Sequence, residues 1–278
     1  MNAIYGAIIG DIVGSRFEFH NIKSKDFKFF SKECQYTDDS AMTIAIAKAL
    51  LEYDKNGGNL IQIATKYMQK VGRDHIDRGF GGYFKRWILS DNPQPYGSWG
   101  NGAAMRISAC PTFFGREKDE RKLIPNTITL TYITHDSEEG CNGACATSHA
   151  IHLGLLRNCK YANHNVDKDK IKEILSYYYK LDFTLDEIRP TYKFNESCQG
   201  TVPQAIMCFL ESDNFEDAIR NAISLGGDSD TLGAITGSIA GAYYGVPYEF
   251  INKARSYLSD DLLIILDETK TYLIQRGE

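Results

Sequence analysis

Apolar positions recur along this chain with a helical period almost everywhere. The run Ala41–Leu51 (AMTIAIAKALL) is apolar nearly all round, the pattern of a helix buried on every side. Leu60–Val71, Ile171–Lys180, Val202–Glu211 and Phe215–Leu225 carry one apolar and one polar face, and Leu262–Gln275 predicts a C-terminal helix. Strand-like alternation is scarce; Asn126–Ile133 is the one β-branched stretch that competes with the helical pattern. From Lys160 to about Ser197 the chain turns polar and irregular, which predicts a peripheral helix pair with loops and no chemistry. No proline-rich or low-complexity linker interrupts the 278 residues, so they read as one all-α domain spanning 1–278.

Two glycine series stand out inside the apolar runs. Gly6, Gly10 and Gly14 are four residues apart, and so are Gly233, Gly237, Gly241 and Gly245. On a helix each series is a smooth stripe on which another backbone can lie. Glycine costs about 1 kcal/mol per interior helical position, so two such stripes predict two central helices in close contact.

Composition narrows the function classes. The formal charge of −5 argues against nucleic acid as a generic electrostatic partner, while leaving a nucleic-acid substrate held in a small pocket open. Seven cysteines (Cys34, Cys110, Cys141, Cys145, Cys159, Cys198 and Cys208) show no framework spacing and fit a reducing, cytoplasmic setting. The apolar stretch Ala3–Val13 has no basic residue before it and is interrupted by Asp11, so it is not a secretory signal. Leu232–Val246 is short of the roughly 20 apolar residues of a membrane span, and no membrane partner is expected. His149 and His152, with Cys141 and Cys145 nearby, fit no familiar zinc spacing and read as packing residues.

Two similar acidic clusters carry the chemistry. Thr37-Asp38-Asp39-Ser40 directly precedes the buried helix, and Gly226-Gly227-Asp228-Ser229-Asp230-Thr231 directly precedes the second glycine stripe. Helix capping explains one side-chain oxygen in each cluster but not three. No Lys or Arg lies between Asn221 and Asn252, or between Glu33 and Ala47. Carboxylates gathered near a buried helix start repel each other and lose hydration, so they need a positive partner. Oxygen donors without an imidazole or thiolate set point to Mg²⁺ or Mn²⁺ rather than Zn²⁺.

These residues fall in segments that resemble the ADP-ribosylglycohydrolases, the group that includes the dinitrogenase reductase-activating glycohydrolase. The segments are GAIIGDIVGSRFE (Gly6–Glu18), YTDDSAMT (Tyr36–Thr43), GSWGNGAAMR (Gly97–Arg106), THDSEEGCNGA (Thr134–Ala144) and GGDSDTLGAITGSIAGAYYG (Gly226–Gly245), in the family's order. The resemblance implies a compact orthogonal multi-helix bundle with two Mg²⁺ (or Mn²⁺) at the base of a cleft. It implies Thr37, Asp38, Asp39, Asp228, Asp230 and Thr231 as ligands. It also makes Glu18 an acid in contact with one ion, Gly97-Ser98-Trp99-Gly100-Asn101-Gly102 the diphosphate loop, and His135 a neighbour of the phosphates or ribose. Read alone, Gly97–Gly102 is a tight turn entering a helix at Ala103, and Asp136 with Glu139 is a capping pair.

The activity so implied is hydrolysis of the bond joining ADP-ribose to a modified protein or small molecule, arginine being the expected acceptor. The ions would fix the ribose hydroxyls, carboxylates would stabilise oxocarbenium character, and Glu18 or Asp39 would serve as base toward the attacking water. Two alternatives stand beside it: a catalytically silent ADP-ribose-binding or structural protein on the same scaffold, and a binuclear-metal hydrolase of another small nucleotide-like substrate. The aromatic-rich segments Phe17–Phe30 and Phe80–Trp87 are candidates for stacking on adenine at the cleft rim, or for plain packing.

Overall fold

A computed structural model describes residues 1–115, 120–157 and 166–277. Fifteen helices are formed by these residues. They are α1 (Asn2–Gly14), α2 (Asp38–Asn56), α3 (Leu60–Asp74), α4 (Gly82–Leu89), α5 (Gly102–Met105), α6 (Ala109–Phe114), α7 (Glu120–Tyr132) and α8 (Glu138–Arg157) in the first half. The second half holds α9 (Lys168–Leu175), α10 (Leu185–Ile188), α11 (Cys198–Leu210), α12 (Phe215–Leu225), α13 (Ser229–Tyr244), α14 (Tyr248–Arg255) and α15 (Asp260–Gln275). Among the described residues there is no strand, only a single antiparallel bridge between Gly100 and Ser197. No described helix is long and apolar enough to cross a membrane.

The helix–helix contact most consequential for function is α1 against α13. Every residue of α1 from Ala3 to Gly14 is buried, as is α13 from Ser229 to Tyr243. The glycine stripes meet in antiparallel register: a Cβ at Gly6 would lie 2.0 Å from the Gly237 carbonyl oxygen, and one at Gly10 would lie 1.9 Å from that of Gly233. At Gly14 the obstacle is the Ser229 carbonyl oxygen at 2.4 Å, and at Gly241 it is the Asn2 carbonyl oxygen at 2.4 Å. Gly245 departs from the expected stripe. It ends α13 at φ 79°, a left-handed conformation that releases the chain toward Pro247.

The other helices wrap this pair. α2 runs longer than the apolar segment suggested because Thr37 caps its start, accepting from the Asp39 N–H, and Gly57 at φ 68° closes its end. Asn59 and Asn214 cap α3 and α12 in the same way. The β-branched stretch Asn126–Ile133 lies mostly within α7, where the Thr129 and Thr131 hydroxyls donate to the carbonyls of Pro125 and Thr127 one turn back.

The expected helix at Ile171–Lys180 instead occupies Lys168–Leu175. Beyond Leu175 the bonds tighten to Tyr177 N–H on Ile174 and Tyr178 N–H on Leu175, turning the tyrosines back onto α8. The expected cysteine and histidine packing is also seen. The six cysteines within the described residues are free, and His152 Nδ1 pairs with the Gly115 carbonyl at 2.7 Å. Cys159 and residues 160–165 of the polar segment lie outside the described residues.

Gly10→Ala places its methyl against immobile backbone, so it is expected to destabilise the protein by about 3 kcal/mol or more. Gly82→Ala, which meets no atom within 4 Å, should change stability by no more than about 1 kcal/mol, in the favourable direction. Urea unfolding of the two variants checks this; equal midpoints would contradict the close-contact reading.

Candidate metal centre

The antiparallel register brings three chain segments together at one end of the α1–α13 pair. Asp11, on α1, is fully buried and accepts four hydrogen bonds. They come from the Thr37 N–H (3.0 Å) and hydroxyl (2.7 Å), the Ser40 N–H (3.1 Å) and the Ser40 hydroxyl. This carboxylate therefore binds the start of α2 to α1. Asp39 accepts at 3.3 Å from the Thr37 hydroxyl and, through both oxygens, from the Thr231 hydroxyl at 3.3 Å. The starts of α2 and α13 are thus tied across 192 residues.

The turn before α13 is held from two sides. Gly226 and Gly227 adopt φ 73° and 79°, and the Asn21 side chain both donates to the Gly227 carbonyl (2.8 Å) and accepts its N–H (2.7 Å). The Asn21 amide also donates to the carbonyls of Phe17 and Glu18, which fixes the segment carrying Glu18 against Asp228. Asn101 donates to Asp228 at 2.7 Å and to the Thr201 hydroxyl at 3.1 Å.

Capping does not consume these acids. Thr37 caps α2, and the Asp228 side chain makes no cap bond to α13. Carboxylate oxygens of Asp11, Asp39 and Asp230 lie within 4.8 Å of one another, as do those of Glu18, Asp228 and Asp230; Asp230 belongs to both groups. Among the described residues no Lys, Arg or His forms an ion pair with any of them.

Burial is the first cause of the upward pKa displacement of every member. It takes Glu18 to about 8, and Asp11 and Asp228 to about 6 despite the hydrogen bonds they accept. Asp38, Asp39 and Asp230 are held well above the usual carboxylate range by burial and then by the neighbouring carboxylates. The all-oxygen donor set and the missing positive partner fit one or more hard divalent cations.

A cavity of about 650 Å³ opens above this floor, a size usual for small-molecule sites. Glu18, Asp38, Asp39, Asp228, Asp230 and Thr231 line it, with all six residues of Gly97–Gly102 and His135. Thr37 is not on the wall; it stands behind, with its hydroxyl engaged by Asp11 and Asp39.

The Gly97–Gly102 loop is less open than a six-donor anion nest. The Gly97 N–H is taken by Asp136 (2.6 Å), Gly100 by the Ser98 hydroxyl (3.2 Å) and Asn101 by the Glu196 carbonyl (2.7 Å). The N–H groups of Ser98, Trp99 and Gly102 have no protein partner among the described residues. The following helix, α5, has only four residues, so it adds little dipole potential. The Asp136–Glu139 capping pair is not formed. Ser137 takes that place by accepting the Gly140 N–H, while Glu139 receives the Tyr179 hydroxyl.

Several residues in and behind the wall escaped the sequence reading. Asp11 figured there only as a break in an apolar stretch, yet a lone acid in an otherwise apolar helix beside a glycine stripe was itself a signal. Arg106, Tyr96, Phe194 and Glu196 also line the cavity, the last two from the segment expected to carry no chemistry. Of the aromatic-rich segments, Phe29 and Phe30 pack inward on Phe250, and Phe80, Phe84 and Trp87 stack in series. Phe19 is exposed and stacks on Phe194, and Tyr83 stacks on Tyr96 at the cavity wall.

The raised carboxyl pKa values set the sign of a pH dependence. The folded state holds protons that the unfolded chain releases near pH 4, so cation-free stability is greatest at acid pH. It falls as pH rises through about 6 and then about 8. Thermal unfolding in EDTA should show a falling midpoint from pH 5.5 to 8.5, with added Mg²⁺ restoring more at pH 8.5. A pH-independent midpoint, or equal restoration, would contradict the cation requirement.

Comparison with known proteins places the chain. A family model described as ADP-ribosylglycohydrolase matches residues 1–271. ADP-ribosylhydrolase ARH3 of Xenopus tropicalis is 27% identical, over 92% of this chain and 90% of its own length. ADP-ribosylarginine hydrolase Tri1 of Pseudomonas putida (strain GB-1) is 24% identical over 90% of this chain and 72% of its own. A solved structure titled ADP-ribosylglycohydrolase-related protein complex shares the fold, with a TM-score of 0.67 at 19% identity and 96% of each chain covered.

Proposed function

The chain belongs to the ADP-ribosylglycohydrolase family, and from that premise we propose that it hydrolyses ADP-ribose from a modified acceptor with the help of two Mg²⁺ ions. The observation that carries this reading is the floor of uncompensated carboxylates beneath a cavity whose wall includes the Gly97–Gly102 loop. Asp38, Asp39, Asp228, Asp230 and Thr231 would hold the ions. Thr37 would complete the ligand set through its hydroxyl, and Asp11, which accepts from that hydroxyl, would brace it from behind. Mn²⁺ suits the same oxygen donors. When bound, the ions supply positive charge to fix and polarise the ribose hydroxyls.

The chain's own groups divide the remaining work. The free N–H groups of Ser98, Trp99 and Gly102 suit phosphate oxygens and would position the substrate remote from the reacting bond. Buried carboxylates face the anomeric carbon, where oxocarbenium character develops. Of the two candidates for proton transfer, Glu18 is favoured over Asp39. Both oxygens of Asp39 already accept from threonine hydroxyls, whereas Glu18 is half-buried and lines the cavity. Arginine is the proposed acceptor, a linkage named for one relative.

The test is release of free ADP-ribose from an ADP-ribosylarginine protein. Release is expected with Mg²⁺, and should be lost with EDTA and in Asp230→Ala. Glu18→Gln should lower kcat by about a hundredfold or more while ADP-ribose still binds. Full activity in EDTA would overturn the metal-assisted reading. Binding of ADP-ribose without release would move the acceptor away from arginine.

A further inference from the structure

A buried hydrogen-bonded chain leads from the protein interior to the wall of the cavity. Arg106, 3% exposed, donates through Nη2 to the Thr134 hydroxyl at 2.7 Å, and that hydroxyl lies 2.7 Å from His135 Nδ1. Thr134 is fully buried, and among the described residues its oxygen has no other partner. Because Arg106 can only donate, the hydroxyl oxygen is an acceptor there. Its own proton then has one available acceptor, His135 Nδ1. If Nδ1 carried a proton instead, the hydroxyl would receive two donors and its hydrogen would be buried without an acceptor. An unmade bond of that kind is costly.

The other ring nitrogen looks outward. His135 lines the cavity, and its Nε2 has no protein partner among the described residues. A Cβ at Gly102 would lie 3.4 Å from Nε2, and one at Gly100 3.9 Å away, so Nε2 stands beside the Gly97–Gly102 loop. At Gly140 any side chain would meet His135 Cβ at 2.8 Å and the Ser98 carbonyl at 2.9 Å, so the start of helix α8 packs closely against the root of the His135 side chain and the loop. Burial, and then the Arg106 charge, lower the His135 pKa and keep the ring neutral.

We propose that Thr134, itself fixed by Arg106, is a positioning residue that locks His135 in the Nε2–H tautomer, so that this N–H donates to the anionic diphosphate of the substrate. The ligand part of this rests on the ADP-ribose reading above, but the tautomer does not. Arg106 thereby contributes to anion recognition through the Thr134–His135 chain. A neutral donor also avoids placing a second buried cation beside Arg106.

The experiment is ¹⁵N NMR of the imidazole nitrogens at pH 7, combined with calorimetric titration of ADP-ribose, in the wild type, Thr134→Val and Thr134→Ser. The wild type should show a protonated Nε2 and an unprotonated Nδ1. Thr134→Val should lose that uniform tautomer and bind ADP-ribose about five to ten times more weakly, the value of one hydrogen bond. Thr134→Ser, which keeps the hydroxyl, should restore both. A wild-type imidazolium or Nδ1–H tautomer would overturn the proposal. So would a Thr134→Val protein with wild-type tautomer and affinity. If the wild type shows the predicted tautomer but binds no ADP-ribose, the tautomer lock stands and the donation to ADP-ribose is overturned with the substrate reading.

Discussion

Gly10 and Gly233 stand back to back with no room for a methyl group between them, and the candidate centre follows from that contact. The antiparallel register it sets puts Asp11, one residue past Gly10, beside the start of α13. At Gly14 a side chain would run into the backbone of Asp230 at 2.6 Å. Larger residues at the stripe would separate the axes and draw Asp230 away from Asp11 and Asp39. The conformational cost of glycine inside two helices, about 1 kcal/mol per position, is offset by the burial of nearly every residue along both.

The same contact creates an electrostatic problem. Six carboxylates are gathered at one end of the bundle, where burial raises each of them above its usual range and, for all but Asp11, neighbouring carboxylates add to the rise. Among the described residues the compensation is partial: α2 and α13 begin there, so their N-termini point at the acids. The buried Arg106 guanidinium, which donates to Thr134, is felt by Asp38 without forming an ion pair with it. Either protons or cations must neutralise the site, and at neutral pH the two compete for the same oxygens.

Much of this was readable from residue order. The helical period gave the class, the glycine spacing gave the central pair, and the two acidic clusters gave most of the floor. Asp228, Asp230 and Asp39 were visible because each precedes or opens an apolar run. Asp11 was harder, since its meaning depends on Thr37 and Ser40 coming from 26 and 29 residues away. Phe194 and Glu196 were invisible for a related reason: they reach the cavity because the backbone near Ser197 pairs with Gly100, a long-range contact that local periodicity does not encode. Capping was misassigned at Asp136 because its neighbour Ser137 offers a hydroxyl in the same turn.

The most direct measurement of whether these carboxylates form a cation site is a Mn²⁺ titration followed by electron paramagnetic resonance at neutral pH. Two ions per wild-type chain should bind and lose their free-aquo signal, with coupling between them. Asp230→Asn, which removes the charge shared by both carboxylate groups, should abolish binding of at least one. Absence of saturable binding in the folded wild-type protein, or unchanged stoichiometry and affinity in Asp230→Asn, would contradict the assignment.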